Sequence, residues 1–459
     1  LGPIGVVAPL MSLGMLIVDG ISKVREAGDT VPVQLSVQHI RPPSANISYS
    51  PSFAVTVREF FNQNFLLQVA SPSLSSNYPL QAGVNTIVSG SHAGDTSAII
   101  SISNMPLVND SSEDLAINLV GIVSNFAVIG QTVSDSSSLV YYSSPPYQGV
   151  QYGRNYTASS SITFSLLDTS SMQHILASTS VPQIPVNQAS IGDTLTFQVS
   201  ITLPKGVSFG VVVAEDLAPP EYRGGRLQLV SAVVSSMPTN IVASTGLQTG
   251  SSGAIADKSF SDGINDFVTF NFGNVTNFFN NTAPTNNTIV MTIVAEVIDD
   301  PVNNVQGTVL GAAATFNETL RSTPIRSVTP EVTIQEPLLS LNVVIVGQNT
   351  TVWHGGENVS IIATIKHVKT GSPQSHSPAF SVRITDLFGN GLYLVPGTVS
   401  ISSNYPLQPG VNSITSGNGQ TDTGMIVDIF MLPLVGDNSA DLTINVIGVI
   451  NKDVLIVST

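Results

Sequence analysis

The chain has no cysteine in its 459 residues. A disulfide framework and thiol chemistry are therefore both excluded, and stability must come from core burial and strand pairing. Charge is also scarce. Only 10% of residues are charged, and 15 Lys and Arg stand against 30 Asp and Glu, for a net charge of −15. Nucleic acid and anionic lipid both require a cationic footprint, so neither is expected as a partner. The six histidines show no H-x-H or H-x₃-H spacing, which argues against a zinc site. No 12-residue segment carries a helical apolar stripe with caps. The one long uncharged run is Leu1–Val18. Pro3 and Pro9 interrupt it, no basic region precedes it, and its Ala8–Ile17 portion returns as Glu336–Ile345. It reads as a β-strand rather than a signal core or span, so no membrane insertion is expected. With no initiator methionine, the chain reads as processed or as a fragment.

The sequence does have apolar material, at 42% of residues, and this excludes generic disorder. It also repeats. "SSNYPLQAGVNTIVSG" (Ser75–Gly90) returns as "SSNYPLQPGVNSITSG" (Ser402–Gly417), 327 positions later. That offset holds without a gap from Phe53–Val123 to Phe380–Ile450, with 32 of 71 positions identical. Halving the interval reveals a middle copy: "AGDTVPVQLSV" from Ala27, "IGDTLTFQVSI" from Ile191 and "GGENVSIIATI" from Gly355 follow one another at 164 residues. The order is A, B, A′, as in a segment of a longer array with a two-unit period.

In each copy apolar residues alternate: Val31, Val33, Leu35 and Val37; Leu195, Phe197, Val199 and Ile201; Val359, Ile361, Ala363 and Ile365. A period of two describes half-buried strands. Later runs from Leu115, Ile289 and Leu442 are rich in β-branched residues. The fold class is therefore all-β. Three tandem antiparallel sandwiches are expected, with boundaries at 1–167, 168–335 and 336–459.

"GDTLTFQVSITLPKGVS", followed by "VVVAEDLAPPEYRGGRLQLVSAVV" and "VQGTVLGAAATFNET", resembles the immunoglobulin-like repeats classed as domain of unknown function 11. The likeness is best over Ile191–Thr319 and looser in the outer units, where "VREFFNQNFLL" and "ITDLFGNGLYL" replace the second motif. It implies an extracellular sandwich used as spacer, stalk or shell component, and it carries no catalytic residues.

The first unit continues past Val123 through "TVSDSSSLVYY" and the second past Val297 through "TVLGAAATFNET". The third reaches only "VINKDVLIVST", so by register it lacks its closing strand. Either more chain follows Thr459 or a neighbour's strand fills the gap by β-strand addition, with Leu1–Val7 as the candidate donor.

Other motifs fit structural roles. "DTG" at Asp422 and "DTS" at Asp95 imitate aspartic-protease loops, but they lie in separate units with turn-like flanks. "GVSFG" around Ser208 matches a nucleophile elbow, yet it sits between two predicted strands with no helix after it. His39 and His367 are repeat-equivalent and read as a shared structural position, and Arg41, Lys205 and Lys369 as solvated strand ends. Acid clusters at Asp110, Glu113 and Asp114, at Asp299 and Asp300, and at Asp437 and Asp441 could hold Ca²⁺, without the regular loop spacing. Sequons at Asn46, Asn109, Asn155, Asn274, Asn280, Asn286, Asn317, Asn349 and Asn358 are expected mostly in loops, where glycans would be tolerated.

The expectation is a non-enzymatic structural subunit of an extracellular or cell-surface fibre. It would polymerise head to tail with copies of itself, without cofactor. The alternative is an adhesin or stalk that binds through a loop such as Met237–Asp262.

Overall fold

The computed structural model describes residues 8–20, 23–41, 48–68, 72–81, 85–89, 97–107, 114–145, 153–180, 187–222, 225–258, 263–279, 287–329, 331–346, 353–369, 375, 377–388, 391–407, 413–419, 422, 424–434 and 440–452. Among them the only helical element is a 3₁₀ turn at Pro220–Tyr222. No helix among them is long and apolar enough to cross a membrane.

The alternation that starts at Val31 becomes a strand whose odd positions face inward. The first repeat comprises β1 (Met11–Ile17), β2 (Thr30–His39), β3 (Ser52–Phe60), β4 (Phe65–Leu67), β5 (Ser73–Ser76), β6 (Thr86–Ser89), β7 (Ser97–Met105), β8 (Leu115–Val123), β9 (Thr132–Tyr142) and β10 (Asn155–Ser165). One antiparallel sheet runs β1-β2-β8-β4, with β5 also on β8, and the other runs β10-β9-β3-β7-β6. Val31, Val33, Leu35 and Val37 from the first sheet and Val55, Val57, Ile100 and Leu139 from the second share one core. Gly121 has a packing reason: a Cβ there would meet the Phe65 ring at 1.9 Å.

The second repeat is built from β11 (Ser171–Thr179), β12 (Gln188–Ala189), β13 (Thr194–Thr202), β14 (Gly206–Asp216), β15 (Leu227–Ser236), β16 (Ile241–Ala243), β17 (Ala254–Ala256), β18 (Phe267–Asn277), β19 (Thr288–Val297), β20 (Val309–Leu310), β21 (Ala313–Asn317), β22 (Ile325–Val328) and β23 (Val332–Ile334). Its main sheets are β11-β13-β19-β15 and β16-β18-β14-β21-β22, with β17 on β18. A small sheet β12-β23-β20 contains a parallel pair, β12 with β23. Phe197, Phe270, Phe272 and Phe316 fill the core between the main sheets.

The third repeat has β24 (Leu339–Val346), β25 (Asn358–His367), β26 (Ala379–Leu387), β27 (Leu392–Leu394), β28 (Ser400–Ser403), β29 (Ser413–Ser416), β30 (Gly424–Leu432) and β31 (Leu442–Ile450). Its first sheet, β24-β25-β31-β27 with β28 on β31, copies that of the first repeat. The second is only β26-β30-β29. The candidate donor Leu1–Val7 lies outside the described residues, as does the end of the chain from Asp453 to Thr459.

Candidate functional site

Two features of this scaffold bear on function: a built joint and a pair of buried polar anchors.

The joint connects the first and second repeats. Val207, at the start of β14, forms a parallel bridge with Val128; its N–H donates to the Ala127 carbonyl and its carbonyl accepts from Ile129 N–H, both at 2.9 Å. Phe126 meets Phe278 edge-on at 6.3 Å between ring centroids. Phe279 N–H donates to Asn125 Oδ1 at 2.8 Å, and the Phe279 ring lies over Gly28, where an added Cβ would meet it at 2.2 Å. Gly28 also has φ of 87°, so both space and backbone call for glycine there. The Lys205 ammonium sits 5.5 Å from the centre of the same ring. Lys205 is thus part of the joint rather than a solvated strand end.

The anchors explain the repeated "SSNYPL". Asp114, at the head of β8, accepts from His39 N–H at 2.5 Å and from His39 Nδ1 at 2.8 Å, and it pairs with Arg41. Asn77 of the motif adds its Nδ2–H at 3.2 Å, while Ser76 donates to the Tyr78 carbonyl. The third repeat has the same set: His367 with Asp441 at 2.8 Å, Lys369 at 3.0 Å and Asn404 at 3.3 Å. Burial pushes the Asp114 and Asp441 carboxyls up, but hydrogen bonds from His39 and His367 and from the nearby cations outweigh it and hold both below the ordinary range. Burial lowers His367. It also raises Tyr78 and carries Tyr405 up to about 12. Arg41 and Lys369 therefore close buried clusters, correcting their reading as solvated ends.

In the first repeat Ser52 Oγ lies 3.2 Å from His39 Nε2, so Ser52, His39 and Asp114 follow one another as in a hydrolase triad. All three are sealed, with at most 1% of each residue exposed. Ala379 holds the place of Ser52 in the third repeat. The arrangement ties the end of β2 to the start of β8 in both copies.

β26 has one edge that no strand among the described residues pairs. Its counterpart β3 pairs with β7 on one side and β9 on the other, and β14 likewise pairs with β18 and β21. Among the described residues β26 pairs with β30 alone. β24 is affected as well. In the first repeat β10 lies against β1, leaving Leu13 and Ile17 only 8% and 2% exposed. At the matching places Leu341, Val343 and Ile345 are 60%, 53% and 59% exposed.

Two further ionisable pairs were not legible in the sequence. Glu59 on β3 and Asp135 on the adjacent β9 are both buried, and burial raises both carboxyls, Glu59 the further of the two. His174 Nε2 lies 2.8 Å from Glu215 Oε1 inside the second core, where burial pushes Glu215 up against the pull of His174.

The remaining candidates are dispersed. Ser208 is buried inside β14 itself, correcting its placement between strands. Asp422 accepts from Gly417 and Gly419 N–H in a turn, at 2.6 and 2.7 Å. Asp95 is outside the described residues. Asp300 pairs with Arg226 and Asn303, while Asp110, Glu113 and Asp437 are also outside the description. Among the described residues no group of three or more His, Asp or Glu is placed to hold a metal ion. Asn155, Asn274, Asn317 and Asn358 are exposed but lie in strands β10, β18, β21 and β25, not in loops. Asn46, Asn109, Asn280, Asn286 and Asn349 fall outside the described residues. The Met237–Asp262 region carries β16 and β17, and an open cleft of about 570 Å³ lies between Met237, Ile241, Val242 and Leu247.

No family model and no curated protein matches this chain. Solved structures similar to parts of it come from bacterial surface proteins. The C-terminal domain of the Streptococcus agalactiae AgI/II polypeptide BspA shares 10% identity at a TM-score of 0.23, covering 71% of this chain and 99% of that one. A 35 kDa C-terminal fragment of the S. agalactiae major pilin GBS80 shares 10% at 0.27, covering 70% and 90%. The Enterococcus faecalis MSCRAMM ACE shares 10% at 0.20, covering 72% and 95%. The chain is an all-β protein built from two-sheet antiparallel units.

Proposed function

We propose that this chain is a non-enzymatic structural subunit of an extracellular or cell-surface appendage, made of end-to-end sandwiches at 1–167, 168–335 and 336–459 of the kind its resemblance to domain of unknown function 11 implies. The observation that carries this reading is the joint at Val128 and Val207. A strand bridge, two aromatic contacts and a glycine seat fix one repeat on the next, and repetition of a fixed step makes length. Head-to-tail assembly with further copies, by β-strand complementation between them, then extends the rod. The sequons are candidate glycan sites, and Asn155, Asn274, Asn317 and Asn358 among them are exposed.

The test is electron microscopy of the purified chain over a range of concentrations. Concentration-dependent filaments support the reading; compact particles with repeats at variable angles overturn it. The cleft beside Val242 favours a second reading, an adhesin that binds a ligand there. Val242→Glu should then abolish attachment to host or matrix surfaces while leaving filaments intact.

A further inference from the structure

We propose that the cleft of the second repeat takes a short, extended and uncharged segment of a partner protein, which adds to the free edge of β16. The inference rests on the adhesin reading above and names its class of ligand.

The cleft belongs to a part of the chain that the outer repeats lack. β6, β16 and β29 hold the same place, each the end strand of its sheet and paired with β7, β18 and β30 respectively. In the outer repeats the connection onward is short, residues 90–96 and 417–423. In the second repeat it is residues 244–266, and it forms β17 on the way. The start of this longer connection folds back along the strand before it. Met237 N–H donates to Thr249 Oγ1 at 2.9 Å at one end, and Gly246 N–H donates to the Ala243 carbonyl at 3.1 Å at the other. Between these ties the cleft of about 570 Å³ opens, with Ile241 and Val242 on one arm and Leu247 and Gln248 on the other. A loop of this length closed on itself is preformed, and the opening has the size of a ligand site.

The pairing of β16 leaves a binding edge. Ser244 N–H donates to the Asn274 carbonyl and Phe278 N–H to the Asn240 carbonyl, both at 2.8 Å, so the residues on either side of β16 bond towards β18. Peptide groups alternate along an antiparallel pair. In this register Ile241 and Ala243 therefore turn theirs away from β18. Ile241 N–H is taken by the Pro238 carbonyl and the Ala243 carbonyl by Gly246. The Ile241 carbonyl and the Ala243 N–H are left, without a partner among the described residues. One acceptor and one donor flanking Val242 are what a single residue of an added parallel strand bonds through its own N–H and carbonyl.

The lining specifies the chemistry of the segment. No residue of it is ionisable and none is aromatic. A charged side chain would give up water there without meeting a counter-ion, and a sugar would find no ring to lie on. Val242 is 51% exposed and offers an aliphatic surface, while Thr239, Gln248 and Thr249 supply neutral hydrogen-bonding groups. A residue paired at this edge stands beside Val242, and its neighbours in the segment point to the opposite face. The segment that fits is thus free of charge, with an aliphatic residue at the paired position.

The test selects heptapeptides from a displayed library on the full chain, with the Val242→Glu chain as counter-selection, and remakes the enriched sequences as capped synthetic peptides. Val242 is solvent-exposed, so this variant remains folded. Uncharged sequences with aliphatic residues at alternate positions are expected, binding one to one by calorimetry. Amide exchange read by NMR should slow at least about tenfold at Ala243, and N-methylation of the paired residue should cost about tenfold in affinity. Val230→Glu, at an exposed valine of β15 outside the cleft, should bind as the parent does. Peptides that do not discriminate against Val242→Glu, or that bind without protecting Ala243, would overturn the proposal. An array of neutral glycans is run on the same two chains. Glycans that bind the parent and not Val242→Glu, with no peptide enriched, sink the peptide class while keeping the adhesin reading. Failure of both probes to tell the two chains apart removes the adhesin reading as well and leaves the rod.

Discussion

Replacing Glu59 by glutamine should relieve the first repeat of a pH-dependent burden. Glu59 and Asp135 share a buried site between β3 and β9, and burial, reinforced by the facing carboxyl, carries Glu59 from 4.5 up to about 10. A carboxyl whose folded value is raised contributes stability below its unfolded value and loses it as pH climbs towards the folded value. For Glu59 that window opens at 4.5 and extends past neutrality. At about 1.4 kcal/mol per pH unit, the proton that the folded state holds and the unfolded state has released costs about 3 kcal/mol at pH 7. For a unit of this size that is on the order of 10 °C in melting temperature. The amide of Glu59→Gln keeps the shape and adds a donor for Asp135 while removing the titration. Hydrogen exchange by mass spectrometry, read on peptides from β3 and β9 between pH 4.5 and 8 after correction for intrinsic rates, isolates the repeat from the rest of the chain. Opening free energy in the parent should fall across that range, and in Glu59→Gln the fall should be less than half as steep. A parent profile that is flat or rising, or a variant as steep as the parent, would refute the shared-proton argument.

Three further outcomes follow from the anchors and the joint. Asp114→Asn leaves the Arg41 and His39 cluster without its anion and should cost about 3–5 kcal/mol in urea unfolding. Ser52→Ala should cost under about 1.5 kcal/mol, because the third repeat already carries alanine there; an Asp114→Asn cost within 1 kcal/mol of the parent would show the cluster to be ornamental. Phe279→Ala removes the ring seated on Gly28 and should broaden the distribution of particle lengths in small-angle scattering while the unfolding transitions stay in place. An unchanged scattering profile would mean that the strand bridge at Val207 alone holds the angle.

Period-two alternation was enough to identify β2, β13 and β25, because a strand with one face buried writes its burial directly into its sequence. The 327-residue offset matched the outer repeats and paired His39 with His367. What the repeated "SSNYPL" does was not legible. Asn77 meets Asp114 across 37 residues and His39 meets it across 75, and those meetings are set by strand register, not by local propensity. For the same reason nothing in the sequence joins Glu59 to Asp135; only the pairing of β3 with β9 brings them together. Arg41 and Lys369 looked solvated until their strand ends turned towards a buried carboxylate. The sequons were expected in loops because Asn, Ser and Thr favour turns, yet in an all-β chain so poor in charge the same residues also form the outer faces of strands, as at Asn155 and Asn358.

The sequence by itself determined the class of the protein: no cysteine, little charge, apolar residues at alternate positions and a repeating unit leave an all-β array and little else. Only the tertiary structure decided which polar residues are anchors and how one repeat is seated on the next. The physical reason is that each of these depends on which strands become neighbours, a long-range outcome of packing two sheets around one core.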